Sequence, residues 1–327
     1  MNRRPRRNRI NQAMRSMVSE TQLKVSNLIQ PIFLVPGQNI AEQIPSLPMS
    51  SRLSSDRAIA EIEACIKLGI DKFIIFPKIP EHHKDRLGVY SYDPENYYLK
   101  FAREVKSKFD QIILISDVAL DPYNLDGHDG IVKNGKILND ETIGVLTKMA
   151  LAQAEAGFDL IGPSDMMDGR VEAIRLSLDE HNYTDTGIMS YTAKYASAFY
   201  GPFRDALDSA PVQNENIPKD KKTYQMDPAN ANEALLEAEL DFQEGADFLM
   251  VKPAIHYLDI IKLLSDNFEI PIAAYHVSGE CAALYAACQN GWLEFDVAMP
   301  ESLLAIRRAG ATAIISYFAK DYAKMVS

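Results

Sequence analysis

The chain has 327 residues, 47% of them hydrophobic, and a formal charge of −11. That is enough apolar content for one large α/β barrel or two medium domains, and the acidic balance argues against nucleic-acid binding as a general property. No apolar run approaches the roughly 18 to 20 residues of a membrane span, and Cys65, Cys281 and Cys288 form no CxxC pair, so the expectation is a soluble cytoplasmic protein with reduced core thiols, without membrane or nucleic-acid partners.

Arg3, Arg4, Arg6, Arg7, Arg9 and Arg15 open the chain, and no acid precedes Glu20. Such a segment fits a transit peptide, a nucleic-acid arm, or an extension that clasps the acidic surface of another subunit. It lacks the hydrophobic stretch of a secretory signal, and the subunit arm is the preferred reading. From residue 28 onward, strand-like and helix-like stretches alternate. The strand candidates are residues 28–35, 72–76, 112–118, 160–163, 187–191, 248–251, 270–275 and 313–317, each short and rich in Ile, Val, Phe or Leu. Between them, residues 55–68, 94–108, 140–156, 231–244 and 257–267 carry apolar side chains at helical spacing. Gly69, Gly157, Gly245 and Gly310 stand where helices should stop. Eight such alternations predict an α/β fold, a (β/α)8 TIM barrel over residues 28–327, preceded by an extended N-terminal arm over residues 1–27. A doubly wound open sheet is the second choice, weakened because no GxGxxG or GxxxxGK[ST] follows the first strand.

In a barrel, polar residues just past the strand ends converge. They are Asp117, Asp121, Asp126, His128 and Asp129 after the third strand, Ser164, Asp165, Asp168 and Arg170 after the fourth, Tyr275, Ser278 and Glu280 around the seventh end, and Ser316 and Tyr317 at the eighth. Each cluster alone reads equally well as turn chemistry. Four at four strand ends point instead to a hard-metal or acid/base site.

Two lysines sharpen that reading. Lys252 ends the apolar run FLMV and is followed by Pro253; a buried ammonium there must pair, reach water or lose its proton, since burial without a partner costs several kcal/mol. Lys194 follows the strand candidate 187–191 in a stretch of small and aromatic residues. If both stand just past strand ends of one barrel, they open on one face, and their repulsion favours the neutral, nucleophilic form of one. A class I aldolase would need only one such lysine and usually a phosphate site. A scaffold or RNA-binding barrel would need neither.

The stretches GPSDMMDGR at 162–170, MSYTAKYASAFYGPFRD at 189–205, YQMDPAN at 224–230 and MVKP at 250–253 resemble, in order, the signatures of the porphobilinogen synthase (5-aminolevulinate dehydratase) family. The resemblance implies a barrel enzyme, working as a homo-octamer, that condenses two molecules of 5-aminolevulinate to porphobilinogen with loss of two waters on the way to haem and chlorophyll. By position it implies that Lys252 forms a Schiff base with the first substrate and Lys194 engages the second. Ser278 and Tyr317 would hold the first carboxylate, with Tyr275 lining that pocket. Arg204, Lys221 and Gln225 would hold the second, with residues 219–225 as a lid, a role their charge and Pro218 also suggest. Asp121, Asp129 and Ser164 would contact the second amino group, and Phe203 and Tyr200 would wall the site.

This sequence departs from the zinc-dependent pattern, whose three cysteines are here Ala119, Asp121 and Asp129. Zinc is therefore not expected, and either Mg²⁺ or the substrate's own amine could face the aspartates. Glu237 matches the position of an allosteric Mg²⁺ in magnesium-stimulated members, with Asp165 and Arg170 in its outer shell, although by its residues alone it is an exposed helix carboxylate. A monovalent cation is a further possibility, and the arginine-rich segment would pack on a neighbouring subunit.

Overall fold

Short runs of branched and aromatic residues, buried on both faces, build a closed parallel barrel. In the computed structural model, which describes residues 2–212 and 214–327, its strands are β1 (Leu28–Leu34), β2 (Lys72–Pro77), β3 (Ile113–Ile115), β4 (Leu160–Ile161), β5 (Gly187–Lys194), β6 (Phe248–Lys252), β7 (Ile272–His276) and β8 (Ala313–Ser316). They neighbour one another in chain order, and β8 closes on β1 through the registers Leu28↔Ile314 and Ile29↔Ile315. Closure leaves the barrel no open edge. A strand at Ser51–Leu53 runs beside the end of β1, and Ala41–Gln43 pairs antiparallel to it.

The expected barrel is present, with two informative shifts at strand ends. β3 and β4 are shorter than residues 112–118 and 160–163, and beyond them only an isolated Val118–Pro163 bridge continues the ladder. β5 and β6 are longer, so the lysines do not lie past the strands: they are the last residues of the strands and stand in register, Lys194↔Lys252. The ladder persists because Tyr195 N–H donates to the Lys252 carbonyl at 2.9 Å.

The candidate helices appear as Ser55–Ile66, Tyr97–Lys108, Asn139–Glu155, Asn232–Gln243 and Leu258–Asn267. Gly69, Gly157, Gly245 and Gly310 adopt positive φ just beyond helix ends, a region that favours glycine. Further helices are Arg170–Glu180, Gly201–Leu207, Ser278–Gln289, Phe295–Ala309 and Ala319–Val326. Ser278–Gln289 is too rich in small residues to show a stripe, and Phe295–Ala309 carries Pro300 inside it.

The N-terminal segment holds a short helix at Gln12–Met17 with no buried residue, and Ile10 and Met17 are largely exposed. Its last part belongs to the barrel surface: Tyr322 Oη donates to the Leu23 carbonyl (2.9 Å) and Asn27 Nδ2 to that of Thr312 (3.1 Å). Met1 lies outside the described residues. Cys65 and Cys281 are buried, whereas Cys288 is half-buried rather than a core thiol; all three are free. Among the described residues no helix is long and apolar enough to cross a membrane.

Candidate active site

The register that ends β5 and β6 together sets two lysines side by side, and their surroundings differ. Lys252 is buried, and its Nζ lies 4.5 Å from the ring centre of Tyr275, 4.9 Å from those of Tyr191 and Phe203, and 5.3 Å from that of Tyr200. Among the described residues this Nζ has no hydrogen-bond or ion-pair partner. Ring faces attract a cation weakly compared with a carboxylate. Burial, helped by the nearby Lys194 charge and only partly offset by Asp117, Asp129 and Asp121, pulls the Lys252 amine down to about 7. Near neutrality, a substantial fraction is therefore the free nucleophile.

Lys194 instead donates to Asp129 Oδ2 at 2.9 Å and to the Ser164 carbonyl. Asp129 holds Lys221 through its other oxygen at 2.5 Å, and Lys221 also reaches Asp121 Oδ2 at 3.1 Å. All four side chains are buried. Burial alone would raise the Asp129 carboxyl, but the two ammonium groups outweigh it and hold it far below the usual range. Burial likewise opposes the charge on Lys221, yet Asp121 and Asp129 raise its amine above the ordinary value. Asp117, which has no such lysine contact, is pushed up to about 6 by burial and by Asp121.

The remaining expected residues surround these two halves. Tyr275 and Tyr317 share a hydroxyl contact of 2.9 Å, and Ser278 Oγ accepts from Phe203 N–H at 3.0 Å. Phe203 packs edge-on against Phe76, and Tyr200 Oη donates to the carbonyls of Tyr195 (2.8 Å) and Lys252 (3.1 Å). Arg204 is half-buried, 6.0 Å from the Tyr200 ring and without an anion among the described residues. Gln225 is buried with its Oε1 unpartnered. Residues 219–225 are folded down over the aspartates. His128 fastens that segment from below, Nδ1 lying 3.0 Å from Tyr224 Oη and Nε2 2.9 Å from the Pro218 carbonyl, so Nε2 carries the proton and Nδ1 accepts.

The family model described as delta-aminolevulinic acid dehydratase matches residues 2–325. The chain belongs to the delta-aminolevulinic acid dehydratase family. It is 51% identical over 321 residues to the enzyme of that name from Bradyrhizobium diazoefficiens, covering 98% of this chain and 90% of the relative. It is 50% identical over 318 residues to the chloroplastic one from Physcomitrium patens, covering 97% and 72%. A crystal structure of the Toxoplasma gondii delta-aminolevulinic acid dehydratase, in complex with the reaction product porphobilinogen, superposes with a TM-score of 0.96 at 47% identity, covering 99% of this chain and 91% of that one.

Away from the lysines, this dehydratase-family chain has a cleft of about 400 Å³ lined by Glu237, Glu233, Asp168, Asp227, Asn139 and Asn230, among others. Glu237 is half-buried there rather than an exposed helix carboxylate, and burial pushes it up to about 7 against the pull of Arg170. Arg170 pairs with Asp241 (3.0 Å) and stands 3.8 Å from Asp165, which is buried with one carboxylate oxygen unpartnered and is pushed up to about 6 by burial. Among the described residues no three His, Cys, Asp or Glu side chains group as a ready metal cage.

Sequence reasoning gave no individual role to Asp117, Tyr191, His128 or Glu280. Asp117 and His128 sit in the aspartate loop it singled out. Tyr191 was the last residue of a predicted strand, and nothing in a strand pattern says that its ring turns to a lysine.

Proposed function

We propose that this chain condenses two molecules of 5-aminolevulinate to porphobilinogen, the first pyrrole of the haem and chlorophyll pathways. The observation that carries the reading is the in-register pair of buried lysines, one free amine among rings and one ammonium bound to a carboxylate. In this reading the Lys252 amine adds to the ketone of the first substrate, and the resulting imine forms with loss of water. Loss of a proton from the carbon next to the second substrate's ketone, beside Lys194, gives an enol whose carbon adds to the imine carbon on Lys252. The first substrate's amino nitrogen condenses with the second ketone with loss of the second water, and expulsion of the Lys252 amine with loss of ring protons completes the pyrrole. Fixing both keto acids in one pocket replaces an encounter between two dilute molecules.

Ser278, with Tyr275 and Tyr317, takes the first carboxylate, and Arg204, whose guanidinium pairs with no carboxylate among the described residues, takes the second together with Lys221 and Gln225. Tyr200 and Phe203 wall the site, and Ser164 with Asp121 and Asp129 receives the second substrate's ammonium. Lys221 now lies between those aspartates. Binding is then an exchange in which the substrate ammonium takes over the aspartates while Lys221 turns to the substrate carboxylate. That arrangement also favours an ammonium over Mg²⁺ beside Asp121 and Asp129, where a lysine already supplies the positive charge.

Mg²⁺ belongs in the Glu237 cleft. One carboxylate with several waters suits an ion that dehydrates reluctantly. The high Glu237 value reflects burial near Asp241, Asp168 and Glu233, a cost that a cation would relieve, and Asp165 with Arg170 supports the cleft from behind. When bound, the ion supplies charge compensation at a subunit boundary and no chemistry. The exposed arginine segment packs on a neighbouring subunit of a homo-octamer, and three free thiols suit a cytoplasmic enzyme.

Purified protein given 5-aminolevulinate should yield the pyrrole in a colour assay, whereas a class I aldolase or a scaffold gives none. In the same tubes, chelation should lower activity and Mg²⁺ restore it. Restoration by Zn²⁺ alone would contradict the reading of the aspartate loop.

A further inference from the structure

Glu280 lies in the first turn of Ser278–Gln289 and is buried, and among the described residues its only side-chain hydrogen-bond partner is the ring of His256 (Nδ1 at 3.1 Å). Its carboxylate is satisfied chiefly by backbone. Oε1 accepts from Ile255 N–H (2.8 Å) and His256 N–H (3.2 Å), and Oε2 from Val277 N–H (3.0 Å) and Ala254 N–H (3.3 Å). A carboxylate taken out of water without a basic partner is costly unless such charge-assisted bonds replace its hydration.

The identity of the donors gives the arrangement its meaning. Ala254, Ile255 and His256 are the residues immediately after Lys252 and Pro253, and Val277 immediately precedes Ser278. One anion therefore ties the end of β6 to the turn after β7. The same turn grips a third segment. Ser278 Oγ accepts from Phe203 N–H (3.0 Å), and a Cβ at Gly279 would lie 2.4 Å from the Phe199 carbonyl oxygen, so that backbone approach needs glycine. His256 stacks on the Phe199 ring at 4.1 Å. Residues 199–203 in turn carry Tyr200 and Phe203, two of the four rings about the Lys252 amine.

We propose that Glu280 is a positioning residue for the condensation: by bridging the backbone after Lys252 to the backbone before Ser278, it sets the distance between the amine and the carboxylate site of the first substrate. The proposal rests on the lysine reading above. Its geometry needs two acceptor oxygens, because the donors approach both. A glutamine, with one acceptor and an NH2 group, must leave one set of N–H groups facing another donor.

The test compares wild type, Glu280→Gln and Glu280→Asp in steady-state pyrrole formation, borohydride trapping of the imine against pH, and thermal melting. An inactive wild type, even with Mg²⁺, would defeat the functional reading itself. With an active wild type, Glu280→Gln should lose about 10²-fold in kcat, the scale of a misplaced reacting group. Its KM should rise, and its trapping profile should move upward by about half a pH unit or more as the amine loses its enclosure. Glu280→Asp, charged but too short to reach both sets, should show smaller shifts in the same directions. A purely structural role predicts lower melting with kcat, KM and trapping profile unchanged below the melt, and that result would overturn the proposal. If Glu280→Gln is insoluble, Glu280→Asp decides: unchanged kcat, KM and trapping overturn it.

Discussion

The two halves of the site use the same side chain in opposite ways. Around Lys252 there are four aromatic rings and, among the described residues, no partner anion, and the amine is pulled down to about 7. One strand away, Lys194 is bound to Asp129, which Lys221 shares. Two lysines in register on adjacent parallel strands thus differ because rings line one and carboxylates the other. Burial by itself does not make a nucleophile; burial without a counterion does.

Replacing the amine breaks the comparison most severely. Lys252→Met should lower pyrrole formation by on the order of 10⁴-fold or more and abolish borohydride trapping at that position. Lys194→Met should also be nearly inactive, yet still trap the first substrate on Lys252, a contrast that peptide mass mapping reads directly. Trapping that survives Lys252→Met in full would mean the nucleophile has been misassigned.

Next in size is the anion that the carboxylate half shares. Asp129→Asn leaves Lys194 and Lys221 without their common partner, and breaking one side of a buried pair costs about 3–5 kcal/mol. Denaturant unfolding should show a loss of that size. If stability is unchanged, the buried pair is not the feature that holds this half.

Smaller effects separate the aromatic half into its parts. Tyr317→Phe leaves the Tyr275 hydroxyl without its partner at 2.9 Å, which should cost about 1–3 kcal/mol and raise KM about tenfold with little change in trapping rate. The amine itself has a pH signature in folding. Its folded value, about 7, lies below the ~10.4 of an unfolded lysine, so the folded state binds fewer protons between them. The penalty is full below about pH 7 and gone above about pH 10, and wild-type stability should rise across that window. Lys252→Met should flatten this slope, measured as the difference in unfolding free energy at pH 6 and pH 9.

The barrel was legible because each strand is a short apolar run, four of them preceded by a glycine helix stop, and eight such runs leave few alternatives. The lysines were legible because a charge at the end of FLMV has no ordinary place in a core. The strand limits near the site were not, since whether a ladder continues to Lys194 or stops at Ile115 depends on neighbouring backbones. Glu237 looked exposed because the cleft that holds it is closed by residues 166–168 and 222–227, which the helix pattern around it does not show. Lys221 was expected on a substrate carboxylate, and only the fold brings it 100 residues back along the chain to Asp121.

The unequal fates of the two lysines are tested most directly by the rate of imine trapping with borohydride as a function of pH, with the modified peptide identified at each point. The label should appear on Lys252, with a rate rising through a midpoint near the value of about 7 set by its enclosure. A midpoint close to that of an ordinary lysine, ~10.4, or a label residing mainly on Lys194, would contradict it.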